Sequence, residues 1–415
     1  MCDVPKIRLS TLLLCFLLIC EVIYPLTNRS ISFLKYADEI VSVIMMLIVA
    51  RYLMCGKIKG YNRKISYIMF FLVVLGIVSN YYSGVRNSLF PIAIDIVSTI
   101  KVMVCFVGFS LITNVNTAES VIKKFWLPAK ILIYTALPFG IISQFVNIGM
   151  TGSYRFGLNG FRFIFGYAHI FEVMVLISVI VLSVCEKRQV KLNKYLFLAA
   201  IEMLLTLKGV AIIWSIAIFF LVYYYAKKKK MNVRMIILLV VISVFFGSYQ
   251  INTYLMNENA PRRIFFIYGL KTAYDFFPLG SGFATFGSSA AADYYSPLYR
   301  MYGFNNLYGM NENDTAFLND TYWPMVIAQF GWVGFALVFL FYFYVFKIME
   351  KIPRGRKSKA IAISALLFIL IHSIGSSTPT SSVVVILFSI LAVYINTLKN
   401  ETENNMIACE KFKRW

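Results

Sequence analysis

Five basic side chains stand out by type and spacing. Arg155 and Arg162 lie in one short polar stretch, Lys208 sits alone between two apolar runs, and Arg262 and Arg263 follow Pro261. A guanidinium presents a planar fork that binds phosphate bidentately, and a lysine adds a compact positive charge. Together these residues suit an anion site, most simply one for a pyrophosphate. For any single arginine the alternative is a solvated loop charge or a lipid-headgroup contact. Lys208 fits that alternative least, because its turn, Leu204-Leu205-Thr206-Leu207-Lys208-Gly209, is so short. Asp320, preceded by Asn319, stands at the start of another apolar run. Partly desolvated there, its carboxylate could serve as a general base. Capping the following helix is an equal alternative, open also to Asn319 and Thr321.

The elements that hold these residues read as membrane helices. Of the 415 residues, 60% are hydrophobic and 14% charged, against about 25% charged in soluble domains. The mean hydropathy is +0.73. Repeated apolar runs of roughly 17 residues or more point to an all-α polytopic protein rather than a β-barrel. The net charge of +21 first suggests nucleic acid, but the basic residues cluster in short runs between spans, as positive-inside topology requires.

Twelve spans are expected: Leu12–Tyr24, Asp38–Met54, Ile65–Tyr81, Phe90–Ile112, Phe125–Val146, Phe163–Cys185, two within Tyr195–Ala226 that turn at Lys208, Met235–Ile251, Trp323–Phe346, Ala360–Ser376 and Ser382–Asn396. With both termini inside, inner segments carry 27 of the 40 Lys and Arg and outer segments 10. The chain then reads as one transmembrane domain, 1–415. Residues 252–322 form a large external loop, and 397–415 a cytoplasmic tail. A loop of that length is uncommon without a function of its own. It holds four basic and six acidic residues, so general attraction of polyanions is not its role.

Other candidates are weaker. His169 and Glu172 are three residues apart on one span and share a face, and His372 lies near the outer end of another. Asp95 and Lys101 lie within the fourth span. Intramembrane charges are functional candidates by default, although a structural ion pair is the favoured reading for Lys101. Gly280-Ser281-Gly282 lacks the βαβ context of a nucleotide loop and reads as a tight turn. Tyr294, Tyr295, Tyr299, Tyr302 and Tyr308 suit sugar stacking or interfacial packing equally. The seven cysteines show no metal or disulfide pattern, and no metal or other cofactor is expected.

Three stretches carry a resemblance. Leu204–Gly209 looks like a short outer turn that usually carries Arg where this chain has Lys208. Arg263–Gly287, ending PLGSGFATFG, resembles a segment in which an arginine leads a helix into a Gly-x-Gly turn. Asn319–Phe335, NDTYWPMVIAQFGWVGF, looks like the closing segment of a large external loop. Arg155 and Gly166 fit a spacing in the same group. The chain thereby resembles the bacterial O-antigen and capsular polysaccharide polymerases of the O-antigen polymerase/ligase superfamily, over roughly residues 155–346.

The resemblance implies a GT-C-like membrane glycosyltransferase in the bacterial plasma membrane that joins undecaprenyl-pyrophosphate-linked oligosaccharides. Membrane lipid, a chain-length regulator and a flippase are the implied partners, with no nucleic acid. On this reading Arg155, Lys208 and Arg263 hold the pyrophosphate, with Arg162, Arg262 and Asn319 as further substrate contacts, and Asp320 receives or orients the acceptor hydroxyl. Ligases of the superfamily look to have a histidine before the Asn that closes the loop. Here Ala316-Phe317-Leu318 precede Asn319, which favours the polymerase. A transporter of lipid-linked sugar is the alternative from another class, disfavoured because no two similar halves are evident.

Overall fold

The structure, a computed structural model, describes residues 4–27, 29–186, 188–226, 260–351 and 356–413, with 237 and 241 besides. The expected ninth span, Met235–Ile251, lies outside these residues apart from 237 and 241. So do the lysine run 227–230 and the first part of the expected loop, 252–259.

Six described helices are long and apolar enough to cross a membrane: α1 (Val4–Leu26, through Leu9–Leu26), α3 (Gly60–Ser83), α4 (Leu89–Ile112), α6 (Trp126–Phe145), α7 (Ala168–Cys185) and α13 (Tyr322–Glu350). Shorter apolar stretches occupy α9 (Gly209–Ala226) and α15 (Ser382–Lys413). The remaining expected spans are helices α2 (Ala37–Met54), α8 (Gln189–Leu205) and α14 (Arg356–His372). They are either shorter or interrupted by charge: α2 contains Asp38, Glu39 and Arg51, and α8 contains Lys191, Lys194 and Glu202.

A helix that is apolar all round belongs in the middle of a bundle. Accordingly α4 is buried from Ile100 to Phe109, α7 from Phe171 to Leu182, and the first turns of α15 from Val383 to Ile395. Around them, α2 packs on α4, α15 on α4 and α7, α9 on α14, and α13 on α3. Inside the bundle the Lys101 ammonium bonds the Asp38 carboxylate at 2.5 Å and Glu39 at 3.1 Å. This is the structural ion pair expected of Lys101, with both partners on α2.

Four features depart from the sequence reading. A short helix α5 (Val115–Lys123) follows α4, and helix α15 continues through the expected tail. Residues 151–161 form an antiparallel hairpin, β1 (Thr151–Arg155) with β2 (Leu158–Phe161), in a chain read as all-α. Finally, 260–321, expected within the large external loop, carries helices of its own and forms an ordered cap. It contains α10 (Pro261–Asp275), α11 (Ser289–Asp293) and α12 (Pro297–Met301) around its own core of Phe265, Phe286, Leu298, Tyr299, Phe304 and Leu318. Three of the tyrosines considered for sugar stacking have structural roles there. Tyr299 is fully buried, the Tyr302 hydroxyl meets Thr272 Oγ1 at 2.9 Å, and the Tyr295 hydroxyl donates to the Met310 carbonyl.

The cap is fixed by a break in α13. Gly331 has φ 61° and ψ −166°, a conformation essentially restricted to glycine. The break opens the helix ladder, and the Ala328 and Gln329 carbonyls instead accept the amides of Ser281 and Gly282 at 2.8 Å each. From the other side α3 completes the clamp. Asn80 Oδ1 accepts the Phe283 amide at 2.7 Å and its Nδ2 donates to the Phe283 carbonyl at 2.9 Å. Ser79 donates to the Leu279 carbonyl and Ser83 to that of Ser281. Asp95 accepts the Ala284 amide and Gln329 Nε2. Irregular backbone inside a membrane bundle must find such internal partners, and here Gly280-Ser281-Gly282 is the tight turn expected of it.

Candidate functional site

Lys208 lies in the turn between α8 and α9. Thr206 shapes this turn: its hydroxyl donates to the Met203 carbonyl and accepts the Lys208 amide. The Lys208 ammonium is half-buried and held below the ordinary lysine value, first by burial and then by the neighbouring Arg155 charge. Glu172, Arg262 and Asp320 also act on it. Charges from the hairpin, α7, α10 and the approach to α13 thus act on one lysine. Burial and the neighbouring arginine charges disfavour the Lys208 cation more than Glu172 and Asp320 favour it, so this place would gain from an arriving anion.

Each neighbour is positioned by a specific local device. The hairpin that ends β1 at Arg155 is pinned by Gln144, whose amide donates to the Asn159 carbonyl at 2.8 Å and accepts the Asn159 amide at 3.0 Å. Gly160 lets β2 run against the Lys208 turn, since a Cβ there would lie 3.1 Å from the Thr206 carbonyl. Arg262 occupies the first turn of α10, started by Pro261 at N1. Its Nε donates to Asp320 Oδ2 at 2.8 Å. The cap residue of α13 is Thr321, so the alternative of a helix-capping Asp320 is replaced by an ion pair with Arg262.

The other expected site residues lie nearby in different roles. Arg162 Nη1 donates to the Gly166 carbonyl at 3.0 Å and so ties the hairpin to the start of α7. Asn319 Nδ2 donates to Ser289 Oγ at 3.3 Å within the cap. Arg263 is the half-buried neighbour of Arg262 on α10.

Both histidines of the chain meet at this end of the bundle, with ring centroids 6.2 Å apart. His372 Nε2 faces the fully buried Glu172 carboxylate at 3.5 Å. Its Nδ1 is bonded by Ser376 Oγ at 2.6 Å and Thr378 Oγ1 at 2.9 Å. His169 stacks on Tyr167, whose ring also carries the Arg29 guanidinium at 4.7 Å. The sequence supplied no signal linking Arg29, Tyr167, Ser376 or Thr378 to the site, because they come from three separate connections and none has a recognisable spacing. His169 and Glu172 were expected on one face of a span, and their meeting with His372 is what only the fold reveals.

Architecture and site together define an all-α multi-pass membrane protein with a charged centre at the capped end of its bundle. The sequence matches no family model and no curated protein.

Proposed function

We propose that this chain is a membrane glycosyltransferase that polymerises undecaprenyl-pyrophosphate-linked oligosaccharide repeat units into O-antigen or capsular polysaccharide. The reading includes twelve spans, both termini cytoplasmic, a GT-C-like arrangement and a capped end on the outer face of a bacterial plasma membrane. One observation carries it: Arg155, Arg262, Glu172 and Asp320, from four separate stretches, all act electrostatically on Lys208, and Arg262 pairs with Asp320 at 2.8 Å, so cations for a phosphate leaving group share the site with carboxylates.

In the proposed reaction an acceptor hydroxyl of the incoming repeat unit attacks the sugar C1 of the nascent chain. The C1–O bond to the pyrophosphate breaks, and its electron pair leaves with the pyrophosphate. Arg155 and Lys208 stabilise the developing charge, with Arg263 assigned beside them. Asp320 takes the acceptor proton, oriented by the Arg262 contact on Oδ2. Arg162 and Asn319 shape the walls through the hairpin and cap. The two histidines with Glu172 supply a second proton-handling group at the site, so the missing loop histidine does not by itself leave the site without one.

Gel analysis of surface polysaccharide tests this. Cells lacking the protein should show a ladder collapsed to single repeat units, and Lys208→Ala or Arg263→Ala should do the same with the protein still inserted. Normal-length glycan in both variants would sink the assignment. Loss of all surface glycan with lipid-linked units retained inside would mean transport, and full-length glycan left on the carrier would mean a ligase.

A further inference from the structure

The β1–β2 hairpin has an unusual tip. Its two-residue turn, Phe156-Gly157, has φ of 52° and 78°, the mirror-image geometry that favours Asn-Gly or Gly-Gly. A phenylalanine is a poor choice for such a turn on backbone grounds. It is also a poor choice for water, since Phe156 is 68% exposed and Tyr154, one strand position before Arg155, is 71% exposed. Leu158, across the turn, is exposed as well. Neither the turn geometry nor contact with water favours Phe156, and an apolar surrounding would suit all three exposed side chains.

The fold indicates what that surrounding is. Gln144, which bonds both polar backbone groups of Asn159, lies in the last turn of α6, one of the helices apolar and long enough to cross a membrane. Beside it Phe145 is 85% and Val146 57% exposed, with Ile141 and Ile142 also exposed. These side chains continue the exposed apolar surface of α6, and the hairpin is fastened within that helix's length rather than beyond it. Aromatic side chains with an apolar body are favoured at this depth. Within the same hairpin Arg155 is half-buried and acts electrostatically on Lys208. Tyr154 and Arg155 are successive residues of β1 and so point to opposite faces of the hairpin.

We propose that the hairpin is a membrane-dipped lip that captures a lipid by both of its parts. Tyr154, Phe156 and Leu158 lie among lipid hydrocarbon at the bilayer boundary, and Arg155 receives that lipid's phosphate on the side facing Lys208. The occupant is a membrane lipid with an anionic phosphate headgroup, reached sideways from the leaflet. This holds whether or not the chain is a glycosyltransferase.

Photo-crosslinking in nanodiscs tests it without an activity readout. Phe156→p-benzoylphenylalanine is placed in full-length protein in discs of phosphatidylcholine with a minor fraction of phosphatidylglycerol. The same probe at Tyr308, which is exposed on the cap, is the control. The expected result on illumination is a lipid-sized mass adduct at 156 and none at 308. The adducts at 156 should contain several-fold more phosphatidylglycerol than the disc, and Arg155→Gln should return them to the disc ratio. Added undecaprenyl pyrophosphate should displace phosphatidylglycerol from the adduct if the captured phosphate is that of a carrier lipid; its failure to do so assigns the lip to ordinary phospholipid. Absence of a lipid adduct at 156 overturns the membrane-dipped lip. Adducts that merely follow the disc ratio overturn the phosphate capture.

Discussion

Asn80→Ala should release the segment that joins the cap to the bundle. The Asn80 side chain is buried and makes two bonds to one residue, accepting the Phe283 amide at 2.7 Å and donating to its carbonyl at 2.9 Å. Truncation leaves both backbone groups buried without these partners, at about 1–3 kcal/mol each. Water entering the space vacated by the side chain offsets part of that, so about 3 kcal/mol is the working value. At roughly 1.4 kcal/mol per factor of ten, segment 279–287 should open about a hundredfold more often. Ser79→Ala removes one hydroxyl shared between the Leu279 and Leu75 carbonyls, worth about 1 kcal/mol, and should raise opening only about fivefold.

Amide hydrogen exchange read by mass spectrometry measures this directly in protein held in nanodiscs. Peptides covering 281–287 should exchange about a hundredfold faster in Asn80→Ala, while those from the buried stretch of α4 keep wild-type protection. The order Asn80→Ala, then Ser79→Ala, then wild type should hold. Protection within threefold of wild type in Asn80→Ala would refute the clamp, because it would mean that the Ser281 and Gly282 bonds to α13 suffice alone.

Gly331→Ala should be more disruptive than an ordinary glycine replacement, because its backbone is in a glycine-only region and a Cβ would meet the Pro278 carbonyl; about 1–3 kcal/mol of strain should appear as loss of folded protein in thermal unfolding. Lys101→Met should destabilise by about 3–5 kcal/mol by leaving the buried Asp38 carboxylate uncompensated, and adding Asp38→Leu should recover most of the loss in the same melt. Lys208 is held below its ordinary 10.5, so phosphate-lipid affinity should fall as pH rises through that lowered value, short of 10.5. The sign follows because the bound anion favours the protonated lysine, and Lys208→Arg should keep its affinity through that range, as measured by binding titration.

The spans were legible where the apolar run alone decides the element: α4, expected at Phe90–Ile112, occupies Leu89–Ile112. The isolated turn at Lys208 was legible for the same reason, since two apolar runs leave a lone lysine few places to go. The cap was not legible. Its long polar and aromatic stretch has no dominant periodicity, and its helices α11 and α12 are five residues each. What orders it is tertiary: carbonyls freed by Gly331 and an asparagine 203 residues away from its partner. A glycine at 331 and an asparagine at 80 look ordinary in a sequence until the break and the clamp are seen together. The histidine pair failed to show for a related reason, because His169 and His372 share no local pattern and meet only through the packing of α7 with α14.

The clamp also bears on the site at a distance. Arg262 starts α10, and α10 runs directly towards the clamped segment; Asp320 stands just before α13, whose break receives it. α10 lies along α13 closely enough that a Cβ on Gly269 would come within 2.9 Å of Pro324. The 2.8 Å Arg262–Asp320 contact is therefore set by how α10 seats on α13, and that seating is held by the 281–282 bonds. Arg155 and Lys208 belong to other elements, the hairpin and the α8–α9 turn, which the clamp does not touch. Loosening the clamp should consequently disturb the Arg262–Asp320 pair while leaving Arg155 and Lys208 in place. Asn80→Ala is then expected to lower turnover far more than phosphate-lipid affinity, whereas Lys208→Ala lowers both. Equal losses in the two variants would mean that the halves of the site are not positioned independently.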